Sequence, residues 1–174
     1  MKNVVIISSS MRKGNSDILC DEFVKGLKEN LHNVTKIDLR NLNLKFCIAC
    51  SDCYNVGRCT LIDDMNTLYD TIKNAEIIVL ATPIYFGSIS GQMKVFIDRL
   101  YPIFTSLKAK EIYVIATCYQ NSKEHIDNAI IPIKQFASQI KVPIKQIIYG
   151  ENTDEAGDVT KEQCNLAYNI GKTI

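Results

Sequence analysis

The chain has 174 residues, of which 47% are hydrophobic, and its 20 Lys and Arg side chains nearly balance its 19 Asp and Glu side chains. A chain of this length can bury roughly two thirds of its unfolded surface, so we expect residues 1–174 to form a single domain. The balanced charge predicts no nucleic-acid or membrane-surface partner, and the lack of any long apolar run predicts no membrane span and a cytoplasmic protein.

The first predicted elements are a buried strand at residues 4–7 and a helix, joined by the polar segment 8–16. Ser16 is a suitable N-cap for that helix. Unpaired amides at a helix N-terminus attract anions, so a strand, a polar loop and a helix in this order predict a phosphate site. The serine hydroxyls, Asn15 and Arg12 could all donate to phosphate oxygens.

The same segment lacks the glycine patterns G-x-G-x-x-G and G-x-x-x-x-G-K-S/T. Those patterns accompany dinucleotides and nucleoside triphosphates, so a ligand with one phosphate is the better expectation. A serine-rich connection that binds no ligand is the alternative.

The rest of the chain alternates between strand and helix patterns. Pro132 should kink or divide one of the helices, and Thr160 with Gln163 forms a capping box. Strands are predicted near residues 34–40, 77–81, 112–116 and 142–149, and helices from Asp63 or Asp64, from Ser90, from Ser122 toward Lys141, and from Thr160.

Five strands alternating with helices predict an α/β three-layer sandwich with a parallel sheet. The expected strand order is 2-1-3-4-5, the flavodoxin-like arrangement, which brings the loops after strands one and three to the same carboxyl edge. The second of these loops, residues 82–90, is unusually apolar. Pro83 stiffens it, Tyr85 and Phe86 offer flat faces, and Gly87 allows close backbone approach.

A phosphate at the first loop and a planar ring at the second describe a mononucleotide with an aromatic head. FMN has both features. The alternative is that Tyr85 and Phe86 pack in the core or in a dimer contact, as aromatic side chains commonly do.

These motifs resemble those of the flavodoxin-fold NAD(P)H-dependent FMN reductases, and in particular their iron-sulfur flavoprotein subgroup. The first loop is similar to the family's G-S-P-R-x-x-x-N-S/T motif, with Ser9 and Met11 in place of the glycine and the proline. Residues 82–87 resemble the family's flavin-ring loop, and residues 91–99 resemble the helix that follows it.

The resemblance implies two groups of FMN contacts. They are Ser8, Ser10, Arg12, Asn15 and Ser16 at the phosphate, and Pro83, Ile84, Tyr85, Phe86 and Gly87 along the isoalloxazine, with Thr117 and Cys118 on its far side. Asp98 and Arg99 are expected in a structural or intersubunit ion pair. We predict no catalytic acid or base, because hydride transfer to a flavin requires none.

A cysteine-rich loop is predicted at about residues 41–63. Its cysteines follow the pattern C-x2-C-x2-C-x5-C, at Cys47, Cys50, Cys53 and Cys59. Four thiolates are the usual ligands of a four-iron four-sulfur cluster, and Gly57 can reverse the chain to return the last of them. Zinc also accepts four thiolates, but usually as two C-x2-C pairs with a longer spacer. The run resembles the iron-sulfur flavoprotein motif, and four free thiols are the alternative.

The function that this resemblance implies is an FMN-dependent oxidoreductase with NADH or NADPH as electron donor. Its acceptor would be a small molecule, or ferredoxin if the cluster is present. Family members often form homodimers or homotetramers, so the resemblance implies a homo-oligomer here. The alternatives are a flavodoxin-type carrier without a substrate, although such carriers tend to be strongly acidic, and a zinc-stapled flavodoxin-like interaction domain.

Overall fold

The computed structural model describes residues 1–174 and shows a parallel sheet between two layers of helices. The strands are β1 (Asn3–Ser8), β2 (Asn33–Asp38), β3 (Ile77–Tyr85), β4 (Ser88–Ile89), β5 (Glu111–Thr117) and β6 (Ile144–Gly150). The helices are α1 (Asn15–Lys28), α2 (Asp52–Val56), α3 (Met65–Lys73), α4 (Gly91–Asp98), α5 (Lys123–Ala129), α6 (Ile131–Gln139) and α7 (Lys161–Lys172). None of these helices has both the length and the apolar character needed to cross a bilayer.

The order of the parallel strands is β2-β1-β3-β5-β6, which confirms the predicted flavodoxin-like arrangement. The additional strand β4 pairs antiparallel with the end of β3. Residues 82–85 therefore belong to a strand rather than to the predicted loop. Phe86 and Gly87 connect the two strands with φ angles of 48° and 71°, which is the backbone of a tight type I′ hairpin turn.

Most of the predicted helix boundaries are confirmed, and one is wrong. Ser90, Ser122 and Thr160 cap α4, α5 and α7 through their hydroxyls, and the helix containing Pro132 is divided into α5 and α6. Ser16 is not the cap of α1, because the helix begins at Asn15 with Gly14 as its N-cap, two residues earlier than predicted. The short helix α2 inside the cysteine-rich loop was not predicted.

The apolar core forms one cluster on each face of the sheet. Ile78 and Leu80 of β3 face α3, α4, α5 and α6, while Ile77, Val79 and Ala81 face α1 and α7. A strand that is covered on both faces carries apolar side chains at every position. This explains why the sequence shows continuous apolar runs at β1 and β3 rather than alternation.

Helices α1 and α7 approach each other at two glycines. A Cβ atom on Gly26 would lie 2.1 Å from the carbonyl oxygen of Tyr168, and one on Gly171 would lie 2.3 Å from that of Phe23. Both neighbours are backbone atoms, so neither can move without displacing a helix. The position of α7 on the sheet therefore depends on the absence of side chains at this crossing.

We expect Gly26→Ala to destabilise the protein by about 3 kcal/mol, because forced overpacking costs about 1–3 kcal/mol and here the obstacle is backbone. Urea unfolding monitored by circular dichroism measures the change. The matched control is Gly91→Ala at the start of α4, where no atom lies within 4 Å of the added Cβ. Equal stability of the two variants would contradict the proposed close packing.

Candidate functional site

The loop after β1 and the segment after β3 are joined by buried hydrogen bonds. The amide and the hydroxyl of Ser9 both donate to the carbonyl oxygen of Ala81, at 2.9 and 3.1 Å. The hydroxyl of Ser90 donates to the Ser9 hydroxyl at 2.8 Å. The two loops therefore meet at the carboxyl edge of the sheet, as the strand order predicts.

A cleft opens where these loops meet the end of β5. Nine of the twelve predicted FMN contacts line it, namely Ser10, Arg12, Asn15, Ser16, Pro83, Ile84, Tyr85, Thr117 and Cys118. It is also lined by Gly14 and Tyr119, and by Thr153 and Asp154 from the loop after β6, none of which was predicted. The phosphate motif and the aromatic segment thus share one cavity.

The other three predicted contacts lie outside the cleft. The Ser8 hydroxyl donates to the Asp17 carboxylate at 2.6 Å and is buried beneath the loop. Phe86 and Gly87 form the tip of the β3–β4 hairpin, where the Phe86 side chain is fully exposed. Of the predicted ring contacts, the structure thus brings Pro83, Ile84 and Tyr85 into the cleft but leaves the hairpin tip outside.

Ser16 carries a buried hydroxyl that has no hydrogen-bond partner. The residue is 1% exposed and lies in the first turn of α1, where backbone amides also lack partners within the helix. An unsatisfied buried polar group costs about 1–3 kcal/mol. A phosphate oxygen in the cleft would satisfy both the hydroxyl and the nearby amides, so the residues present fit a phosphate group.

Two charged side chains beneath the first loop were missed by the sequence analysis. Asp17 is buried close to the anion site, and the Arg40 guanidinium forms an ion pair with it. Arg40 also donates to the carbonyl oxygen of Ser10 at 3.1 Å. Arg40 thus neutralises a carboxylate that would repel a phosphate, and it fixes the loop backbone.

Cys118 presents a neutral thiol to the cleft. Burial raises the pKa of this thiol, and its Sγ atom donates to the carbonyl oxygen of Gln120 at 3.2 Å. Because the thiol is protonated at neutral pH and already hydrogen-bonded, Cys118 forms part of the cleft wall and does not supply a thiolate.

The four clustered cysteines surround a second pocket, beside the end of α4. Cys47, Cys50, Cys53 and Cys59 all line it, together with Asp98, Arg99 and Tyr101, and all four thiols are free. As predicted, Gly57 reverses the chain between the last two cysteines, with a φ angle of 67°. No three of the chain's His, Cys, Asp or Glu side chains are positioned to hold a single metal ion.

A buried ion pair closes the base of the cysteine-rich loop. Arg99 forms a two-pronged contact with Asp63 at 2.5 and 3.0 Å, and it donates to the carbonyl oxygen of Lys45 at 2.7 Å. Asp63 also accepts from the amides of Lys45 and Met65. Asp98 and Arg99 therefore do not share the expected ion pair. Arg99 pairs with Asp63, and Asp98 pairs with Lys94 on its own helix at 2.6 Å.

Comparison with known proteins identifies the family. Residues 1–150 match the NADPH-dependent FMN reductase family. The chain belongs to this family.

Several relatives of this reductase-family chain are named iron-sulfur flavoproteins. One from Archaeoglobus fulgidus is 32% identical over 102 residues, which are 59% of this chain and 46% of that protein. Another from Methanocaldococcus jannaschii is 34% identical over 103 residues, or 59% of this chain and 53% of that protein. The chain thus spans about half the length of these relatives. The Bacillus subtilis protein YwqN, whose name describes an NAD(P)H-dependent FMN-containing oxidoreductase, is 29% identical over 96% of this chain and 93% of its own length.

Solved structures confirm the flavodoxin-like fold of this family member. An NAD(P)H:quinone oxidoreductase from Methanothermobacter marburgensis superposes with a TM-score of 0.75 at 15% identity, covering 99% of this chain and 96% of that one. An azoreductase from Bacillus anthracis superposes with a TM-score of 0.77 at 13% identity over the whole of both chains. At such low identity the agreement concerns the fold alone.

The Asp63–Arg99 pair should make the free energy of unfolding of this FMN reductase-family chain depend on pH. Burial alone would raise the pKa of Asp63, but the Arg99 guanidinium and the amide of Lys45 outweigh burial and lower it below 3.8. A carboxyl whose pKa is lower in the folded state stabilises the fold above its unfolded pKa, which is about 4, and loses that contribution as the pH falls further.

We therefore expect Asp63→Asn to destabilise the protein by about 3–5 kcal/mol at pH 7, because it leaves Arg99 buried without its charge partner. The difference from the wild type should shrink as the pH falls below about 4, because the wild-type carboxylate stabilises the fold less and less until it is protonated at its lowered folded-state pKa. Urea unfolding at several pH values measures both effects. Asp98→Asn is the control, since an exposed pair contributes about 0–1 kcal/mol, and a difference that is independent of pH would refute the assignment.

Proposed function

We propose that residues 1–174 form an FMN-binding domain that catalyses electron transfer from NADH or NADPH to an acceptor. The observation that carries this proposal is the cleft itself. An unpartnered, buried Ser16 hydroxyl lies at the N-terminus of α1, and an apolar, aromatic wall lies opposite at the end of β3. A phosphate and a planar ring are the two groups that such a cleft accommodates.

Different side chains along the cleft would contact different parts of FMN. Arg12 and Ser16 would hold the phosphate, because the Ser10 hydroxyl already donates to the carbonyl oxygen of Arg12. Arg40 cancels the charge of Asp17 beneath the loop. Ile84, Tyr85, Thr117 and Cys118 would line the ring. Held by these residues, FMN would supply hydride-accepting chemistry and one- or two-electron transfer. Tyr85 is half exposed, so the wall that it forms is open to a nicotinamide or an acceptor from solvent.

We propose further that Cys47, Cys50, Cys53 and Cys59 bind a four-iron four-sulfur cluster. Their thiols surround one pocket but do not converge on one point. Their C-x2-C-x2-C-x5-C spacing departs from the two C-x2-C pairs with a longer spacer that are usual for zinc, and four thiolates are the usual ligands of a four-iron cluster. With a cluster in place, the acceptor would be a one-electron protein such as ferredoxin; with free thiols it would be a small molecule.

A homodimer or homotetramer is part of the proposal. The cysteine-rich loop exposes the large apolar side chains of Phe46, Ile48, Tyr54, Val56 and Ile62. Exposed apolar surface of this kind is typical of interfaces, and contact with a second copy would cover these side chains.

Ser16→Ala tests the phosphate site. The hydroxyl would hydrogen-bond to a charged oxygen, a bond that contributes about 1.5–3 kcal/mol, so the variant should bind FMN about tenfold or more weakly. Binding of riboflavin, which lacks the phosphate, should not change. Quenching of flavin fluorescence measures both affinities, and Ser138→Ala on the exposed side of α6 is the control. Failure of the wild-type protein to bind FMN would refute the proposed function.

Analysis of iron, zinc and acid-labile sulfide in protein purified without oxygen tests the cluster. We expect about four irons per chain together with sulfide, and we expect Cys59→Ala to lose both. Cys164→Ala is the control because Cys164 lies on α7, outside the cysteine-rich loop. Zinc without sulfide would refute the cluster, and protein with FMN but neither metal would show four free cysteines.

A further inference from the structure

The loop after β6, residues 151–160, crosses one end of the cleft, and we call it the strap. Its first part is fixed to the end of β5, because the amide and the hydroxyl of the buried Thr153 both donate to the carbonyl oxygen of Cys118, at 2.9 and 3.0 Å. The strap lies beyond residues 1–150, over which the chain matches its family. Nothing in that match therefore assigns it a role.

Asp158 holds the turn of the strap. One of its carboxylate oxygens accepts from the amides of Asp154 and Glu155, at 2.9 and 2.6 Å. The bond to the Glu155 amide fixes the peptide unit that carries the Asp154 carbonyl oxygen, and the Asp158 amide donates to the Glu155 carbonyl oxygen at 3.3 Å. Both carbonyl oxygens reach the first loop. Gly157 completes the turn with a φ angle of 104°, a conformation that side chains rarely permit.

The two carbonyl oxygens of this turn bind two of the predicted phosphate ligands. Arg12 donates to the carbonyl oxygen of Asp154 at 3.0 Å, and Asn15 donates to that of Glu155 at 2.7 Å. The Asn15 side chain also accepts from the amide of Gly157 at 2.8 Å. Both polar atoms of this buried amide group thus bind the strap, so Asn15 joins the strap to α1, whereas Arg12 retains further donors for a ligand.

The strap is also negatively charged. Asp154, Glu155 and Asp158 lie within five consecutive positions, and Asp154 lines the cleft. The carboxylates of Asp154 and Glu155 form no ion pair or hydrogen bond, in contrast to that of Asp158. A ligand extending past the first phosphate would meet backbone that already occupies the space and carboxylates that repel a second phosphate.

We propose that the strap restricts the cleft to flavins with a single phosphate, with Asn15 and Asp158 as positioning residues. Asp158 fixes the turn, Asn15 anchors it to α1, and the Asp154 carbonyl oxygen orients Arg12 toward the phosphate. A flavin dinucleotide such as FAD is excluded because its second phosphate would have to displace the strap. This inference rests on the proposed FMN site. It identifies the part of the structure that would make this site select FMN over FAD.

The test compares the dissociation constants of FMN, FAD and riboflavin for the full chain, measured by quenching of flavin fluorescence. The wild-type protein should bind FMN at least about tenfold more tightly than FAD. Asp158→Ala and Asn15→Ala should each reduce this ratio by about tenfold, the effect expected from losing hydrogen bonds that hold the strap. Riboflavin affinity should not change, because the strap lies at the phosphate end of the cleft.

Two further variants distinguish the role of the Asp158 hydrogen bonds from that of its negative charge, and from a nonspecific effect of mutation. Asp158→Asn keeps an oxygen that can accept from the two amides, so it should retain most of the wild-type ratio. Glu162→Ala, an exposed change on α7, should retain all of it. An unchanged FMN to FAD ratio in both Asp158→Ala and Asn15→Ala would overturn the inference, as would a parallel loss of riboflavin binding. In either case FMN binding by the wild type would leave the proposed function standing.

Discussion

The parallel pairing of β1 with β3 is the constraint on which the rest of the structure depends. It aligns Val4 with Ile77 and Ser8 with Ala81, bringing together segments that are more than 70 residues apart in the chain. Once this register is set, the polar loop after β1 and the aromatic segment after β3 must leave the sheet at the same edge. The buried bonds among Ser9, Ala81 and Ser90 then hold the two walls of the cleft together.

Two ion pairs, one fully buried and one partly buried, have similar roles at the two sites. Arg40 pairs with Asp17 under the loop of the FMN site, and Arg99 pairs with Asp63 at the base of the cysteine-rich loop. Each arginine also donates to a backbone carbonyl oxygen of the loop that it supports. Neither arginine needs to contact a ligand, because fixing the loop backbone is enough to place the residues that would. Such a pair adds little net stability over apolar residues of similar volume, but removing one partner is costly because the other charge stays buried.

The structure also changes the roles expected of individual residues in the phosphate motif. Ser8, Ser10, Asn15 and Ser16 look equivalent in the sequence, since all four carry small polar side chains. In the fold, Ser8 donates to Asp17, Ser10 donates to the carbonyl oxygen of Arg12, and Asn15 binds the strap. Only Ser16 keeps a buried hydroxyl without a partner. One motif thus serves both to build the loop and to leave a donor for a ligand.

The sequence by itself determined the α/β class and most of the helix starts, because these follow from local signals. The strand order followed from the alternation of strands and helices together with the rules for parallel sheets. Apolar runs, capping hydroxyls and Pro132 act over a few residues, and they would do so in any tertiary context. Only the tertiary structure decided that Arg40 and Thr153 belong to the site, that Phe86 points away from it, and that the loop after β6 closes its end. Those roles depend on which distant backbone atom each side chain meets, and the sheet sets that relation through pairings that no local pattern encodes.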